Sequence, residues 1–139
     1  MTIGINNNLK LKDIQKAFRE KFPHLKIDFF ARPFGEAGFS MGEHQVDNET
    51  PINDIALKKP AKKITFSPNE TVTETERKLR EELGLFAHVF RKSGNLWIHT
   101  INTRHWTLKR QEEHASESVK YNPKINLIDT NNEDDGDEG

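Results

Sequence analysis

The chain has 139 residues, enough for one domain, and it contains no cysteine, which excludes disulfides, thiolate metal sites and cysteine chemistry. Hydrophobic residues make up only 33% and charged residues 31%, and no apolar run approaches the length of a membrane span. The net charge of -1 hides an asymmetry: Asp129, Glu133, Asp134, Asp135, Asp137 and Glu138 gather at the end, and without them 21 basic residues face 16 acidic ones, a body of +5.

Met1 to Lys10 lacks a basic stretch followed by an apolar run, so no signal peptide is read there. With the missing cysteines this leads to the expectation of a cytoplasmic protein with no membrane partner. Asn48-Glu49-Thr50 and Asn69-Glu70-Thr71 match glycosylation acceptors but, without a secretion signal, are read as chance.

Ile3 to Ile5 alternates as a short strand, and Asn6-Asn7-Asn8 forms a turn. Leu11, Ile14, Phe18 and Phe22 then recur at helical spacing, and Pro23 stops that helix. A strand over Leu25–Ala31 completes the first unit, 3–31. The connection 32–60 holds Phe34, Gly35, Gly38, Phe39, Met41 and Gly42. Such length is usually functional or disordered. Ile52, Ile55 and Leu57 are expected to dock part of it.

Lys58-Lys59-Pro60-Ala61-Lys62-Lys63 is the densest basic run and reads best as a solvated edge that discourages strand aggregation. The second unit, 64–102, opens with the strand Ile64 to Phe66 and the turn Ser67-Pro68-Asn69. Thr71 and Glu74 form a capping box, which satisfies free N–H groups at a helix start. Val72, Leu79 and Leu83 supply the apolar stripe, and Gly84 ends the helix. Strands Leu85–Arg91 and Leu96–Asn102 follow, joined by a tight turn in which Gly94 can take positive φ.

Residues 3–30 and 64–90 superpose with few identities but consistent apolar positions. Ile3 lies over Ile64, and Phe18-Arg19-Glu20 lies over Leu79-Arg80-Glu81. Two such units most simply interleave as an α+β, ferredoxin-like βαββαβ sheet with both helices on one face. A different strand order of the same elements is the alternative. Thr107 caps a short helix to about Glu117 with a weak apolar face of Leu108, Ala115 and Val119, and Ile125 and Leu127 suggest a marginal strand. The expected domain is 1–128, with a disordered acidic tail over 129–139 that can solubilise the body or compete for its basic surface.

The hairpin carries the sharpest functional expectation. With Ser93 and Gly94 as the central turn residues, Phe90 faces Trp97, His88 faces His99, Phe86 faces Ile101 and Lys92 faces Asn95, which puts Ile101 on the same face as Phe86. Phe86, His88, Phe90, Trp97 and His99 then share an open face, while Leu85, Ala87, Val89, Leu96, Ile98 and Thr100 pack on the helices. Lys26, Asp28 and Phe30 are the counterparts in the first unit. A one-residue change of register would move His99 to the other face.

Three readings of that face compete. It is covered by the loop, the last helix or a second subunit; it stacks single-stranded bases, with Lys58, Lys59, Lys62, Lys63, Arg91, Lys92 and Arg104 supplying charge; or His88 and His99 hold a metal with one of Asp28, His105 or His44. Aromatic motifs of RNA-recognition domains are missing, as are Walker, dinucleotide, HExxH and nucleophile-elbow signatures. The leading expectation is a non-enzymatic interaction module that binds a protein partner, or itself, through Phe86, His88, Phe90, Arg91, Lys92, Trp97 and His99. No cofactor or metal is assigned. Single-stranded nucleic-acid binding comes next, then a small enzyme or ligand-binding domain using the 33–44 loop.

Overall fold

A computed structural model describes residues 1–6, 8–33 and 44–120. The loop segment around Phe34–Gly42, the Ile125–Leu127 strand and the acidic tail lie outside those residues. The elements are β1 (Thr2–Gly4), α1 (Leu11–Lys21), β2 (Leu25–Phe30), a short α2 (Ile52–Ile55), β3 (Lys63–Thr65), α3 (Val72–Leu83), β4 (Phe86–Ser93), β5 (Leu96–His99), a 3-10 turn (Ile101–Thr103) and α4 (Leu108–Lys120).

This is a mixed α+β structure with two antiparallel sheets, β1–β3 and β2–β4–β5. In a ferredoxin-like sheet the first strands of the two units pair at the centre and the second strands flank them. The first half of that arrangement is present, since Ile3 pairs with Ile64. The second is not: β2 and β4 pair with each other from Leu25↔Arg91 to Phe30↔Phe86. Strand length gives the physical reason. Three-residue β1 and β3 offer few ladder bonds, whereas the longer β2 and β4 satisfy each other's backbone along six residue pairs. The register also makes partners of two residues aligned in sequence, Asp28 and His88.

The helices form where the pattern places them. In α3 the Thr71 hydroxyl accepts from Glu74 N (3.1 Å), while Glu74 Oε1 accepts from Thr71 N (2.8 Å). Gly84 follows at φ +68°. The start of α1 is satisfied differently: Asp13 accepts from Lys10 N, and the carbonyls of Thr50 and Asn48 accept from Leu11 N and Lys12 N. The returning connection therefore caps α1, and His44 O and Val46 N bond the free edge of β2. Ile52 docks fully, but Leu57 does not: it is 72% exposed.

Phe18 lies at the centre of the core, with Phe22 at 5.1 Å and Phe66 edge-on at 5.3 Å between ring centroids. The last helix begins with Thr107 Oγ1 accepting from Arg110 N (3.1 Å). Its preceding turn is hydrogen-bonded to the start of α3, through Val72 N to Trp106 O (3.1 Å) and Leu108 N to Glu70 O (2.8 Å). Leu108, Gln111 and Ala115 form its buried face. Gln111 supplies the contacts that a weak apolar pattern could not: it donates to Thr103 and accepts from Arg91 Nη1 at 3.0 Å.

Candidate functional site

The hairpin closes one residue later than expected on each strand. Ser93 pairs with Leu96, Lys92 with Trp97, Arg91 with Ile98 and Phe90 with His99. The turn is thus Gly94-Asn95, with Gly94 at φ +62°. The pairing sum moves by two, so face membership survives and the partners change. His88 and His99 remain on one face as diagonal neighbours, 6.2 Å between ring centroids, and are not directly opposed.

The face is closed in its middle. His88 is 1% and Phe90 7% exposed, with Asp28 and Phe30 buried beside them; Phe86 and Trp97 are half-buried, and His99 is exposed. The side that the alternation of the strands would leave open is thus buried in its middle. The reason lies partly on α3. Glu76 Oε2 accepts from Val89 N (3.0 Å) and lies 3.1 Å from His88 Nδ1. Where β5 has ended, Glu76 and the Thr100 hydroxyl, which donates to Val89 O (2.8 Å), satisfy the backbone of β4 in its place.

Arg91 belongs to the opposite face. Its guanidinium lies over Trp106 (5.4 Å) and bonds Thr103 and Gln111, and burial pushes it below its usual pKa. Trp106 is also covered by Arg110 at 3.9 Å. Trp106 is thus flanked by stacked guanidinium groups just ahead of α4.

The half-buried end of the hairpin face collects positive charge. Lys92 (4.9 Å), Arg19 (5.0 Å) and Lys26 (5.3 Å) all lie over the Trp97 ring, and Lys26 also lies 5.4 Å from the Phe90 ring centre. A groove of about 610 Å³ adjoins this cluster, lined along α1 by Lys12, Gln15, Lys16 and Arg19, along β2 by Lys26 and Asp28, and along the returning connection by residues that include Asp47. Asp28 neutralises Lys26 at 3.1 Å, and Glu49 holds Lys12 at 2.8 Å, raising the lysine pKa through that hydrogen bond. Lys16, Arg19 and Lys92 have no carboxylate partner among the described residues.

Lys12, Lys16 and Arg19 went unmarked in the sequence as site residues. The available signal was their spacing, which sets them in a row beside the apolar stripe of α1. Of the basic residues named from sequence, Lys92 joins the Trp97 cluster and Arg91 does not. Lys63 lies on β3, away from the hairpin sheet, and Lys58 donates to Glu81 O. No group of three or more His, Cys, Asp or Glu suited to hold a metal ion occurs among the described residues. Nor is any described helix long and apolar enough to cross a membrane. No protein-family model, curated protein or solved structure matches the chain.

Proposed function

We propose that this is a non-enzymatic, cytoplasmic binding module whose body, 1–128, engages a polyanion, in the first place single-stranded nucleic acid, along α1 and the Trp97 end of the hairpin. The observation that carries the reading is the set of three cations over Trp97 beside a groove with further, unpaired positive charge. Phosphates would displace counterions from that row, while the aromatic ring offers a surface for a base. Trp97 and Lys92 are the working residues of the hairpin; His88 and Phe90 support them from below. In this reading the two strand–helix–strand units are copies, and function has settled where they differ.

The test is fluorescence anisotropy of a labelled oligothymidylate titrated with the full chain at several salt concentrations. Binding should weaken with salt at a logarithmic slope of about -0.7 per phosphate contacted. Arg19→Ala and Lys92→Ala should each lower that slope's magnitude by about the same amount. Absence of salt-dependent binding would sink the proposal.

A second reading, self-association, rests on β5. It is an edge strand of the three-stranded sheet, and Leu96 is 65% exposed on it. Light scattering across concentrations decides it, and a constant monomer mass excludes it.

A further inference from the structure

Thr73, Glu76, Arg77 and Arg80 on α3 repeat the spacing of Lys12, Gln15, Lys16 and Arg19 on α1. The likeness extends to their contacts. Gln15 Nε2 donates to Ile27 O (2.8 Å) and to Asp28 Oδ1 (3.3 Å), while Glu76 meets Val89 N and His88. The two inner residues thus grip the two members of one cross-strand pair, Asp28 and His88. Outside Gln15 lies the groove beside Trp97. Outside Glu76 lies a smaller pocket of about 170 Å³, lined by Arg77, Arg80, Arg104, Phe86 and Pro33.

We propose that this second pocket is an anion site that takes a single phosphate group. Three guanidinium groups border it against one carboxylate, that of Glu76. That carboxylate is already engaged: Oε2 serves Val89 N and His88, and Oε1 lies 3.7 Å from Arg104 Nη2. Arg77 and Arg80 form no ion pair within 4 Å among the described residues, and the charge of Arg77 is felt at Glu74. Arg104 is held in place through its backbone, since both Thr73 N (3.1 Å) and Thr73 Oγ1 (3.2 Å) donate to Arg104 O. That clamp fixes the backbone of Arg104 beside the start of α3.

Arginine suits this task because its planar fork gives two parallel hydrogen bonds to a phosphate, which lysine cannot. The size of the pocket sets the ligand. It falls below the roughly 300 Å³ at which sites for drug-sized molecules begin. One phosphate group suits a pocket of that size, with Phe86 as an apolar wall for the carbon side of an ester. The phosphate comes either free in solution or from the end of a nucleic-acid strand. The site does not depend on the groove beside Trp97.

The experiment is a nitrogen–proton correlation spectrum of the full chain titrated with inorganic phosphate at constant ionic strength. It is repeated with thymidylyl-thymidine carrying or lacking a 5′-phosphate. Saturable shifts are expected at Thr73, Arg77, Arg80, Phe86 and Arg104. The R77Q/R80Q double variant, whose remaining peaks report an intact fold, should bind about tenfold or more weakly. R19A should leave phosphate binding unchanged, which separates this site from the groove.

Tighter binding of the 5′-phosphorylated dinucleotide than of free phosphate would assign the site to strand ends; equal or weaker binding would assign it to the free ion. Shifts that fail to saturate, or that persist in R77Q/R80Q, overturn the proposal. If the double variant does not fold, R80Q alone carries the same comparison.

Discussion

Asp28 on β2 and His88 on β4 are direct cross-strand partners, and each is gripped by a polar side chain from its own unit's helix: Gln15 on Asp28, Glu76 on His88. The buried middle of the hairpin sheet is therefore polar at one point, and a residue of each helix reaches it there. Glu76 has the additional duty of accepting from Val89 N. Glu76→Ala leaves that N–H without its acceptor and should cost about 1–3 kcal/mol in urea unfolding. Glu76→Gln keeps an oxygen at the same reach, so it should cost clearly less than the alanine.

Phe90 and Trp97 share a face but differ in burial, and the two should separate in stability. Phe90 is 7% exposed, and Phe90→Ala should cost about 3–5 kcal/mol. Trp97 is half-buried and held mainly by cations, so Trp97→Ala should cost about 1–2 kcal/mol and leave the protein folded. Equal losses in a denaturant series would show that Trp97 is part of the core.

Gly84 is constrained twice. Its φ of +68° is left-handed, and a Cβ there would lie 2.8 Å from both Leu57 N and Lys58 N. The left-handed conformation alone costs roughly 1–2 kcal/mol for alanine. The contact adds to this, because Leu57 N donates to Gly84 O and the two backbones cannot separate freely. Gly84→Ala should thus lower the thermal midpoint more than that strain alone would, by calorimetry.

The capping box gives a pH dependence with a definite sign. The Glu74 carboxyl is held below its ordinary value of 4.5, first by the backbone N–H of Thr71 and then by its hydroxyl. A lowered native pKa means that the unfolded chain binds this proton more readily. Its contribution is present in full above the unfolded value and fades as pH falls through the native one. In an acid titration followed by far-UV circular dichroism, Glu74→Gln should lack that share of the loss below about pH 4.5.

Much of this architecture is readable in the sequence. Thr71, Glu74 and Gly84 mark the ends of α3 through local backbone chemistry, and local chemistry is what a sequence records. The hairpin is half readable. Ser93-Gly94 and Gly94-Asn95 are both two-residue turns that keep the same side chains on the same face. The observed one places Gly94 and Asn95, both tolerant of left-handed backbone, at the two central positions. The sheet partition depends on how many ladder bonds each pairing satisfies, which no single segment reveals. Burial of His88 depends in part on Glu76, a residue that looks like ordinary helix surface until its tertiary partner is known. The row Lys12, Lys16, Arg19 gains meaning only when β5 brings Trp97 within 5.0 Å of Arg19.

The position of α4 has a consequence for how the molecule is made. Its leading turn is bonded to Glu70 and Val72, Glu112 holds His24 N (2.8 Å) and the His24 ring, and Ser118 holds Gly94 N (3.1 Å). One late segment thus latches the start of α3, the end of α1 and the tip of the hairpin. During synthesis, both strand–helix–strand units leave the ribosome before their common fastening exists. Until Ser118 emerges, the nascent chain presents the surface that Leu108 and Ala115 will cover, and that interval is when it most needs protection from aggregation.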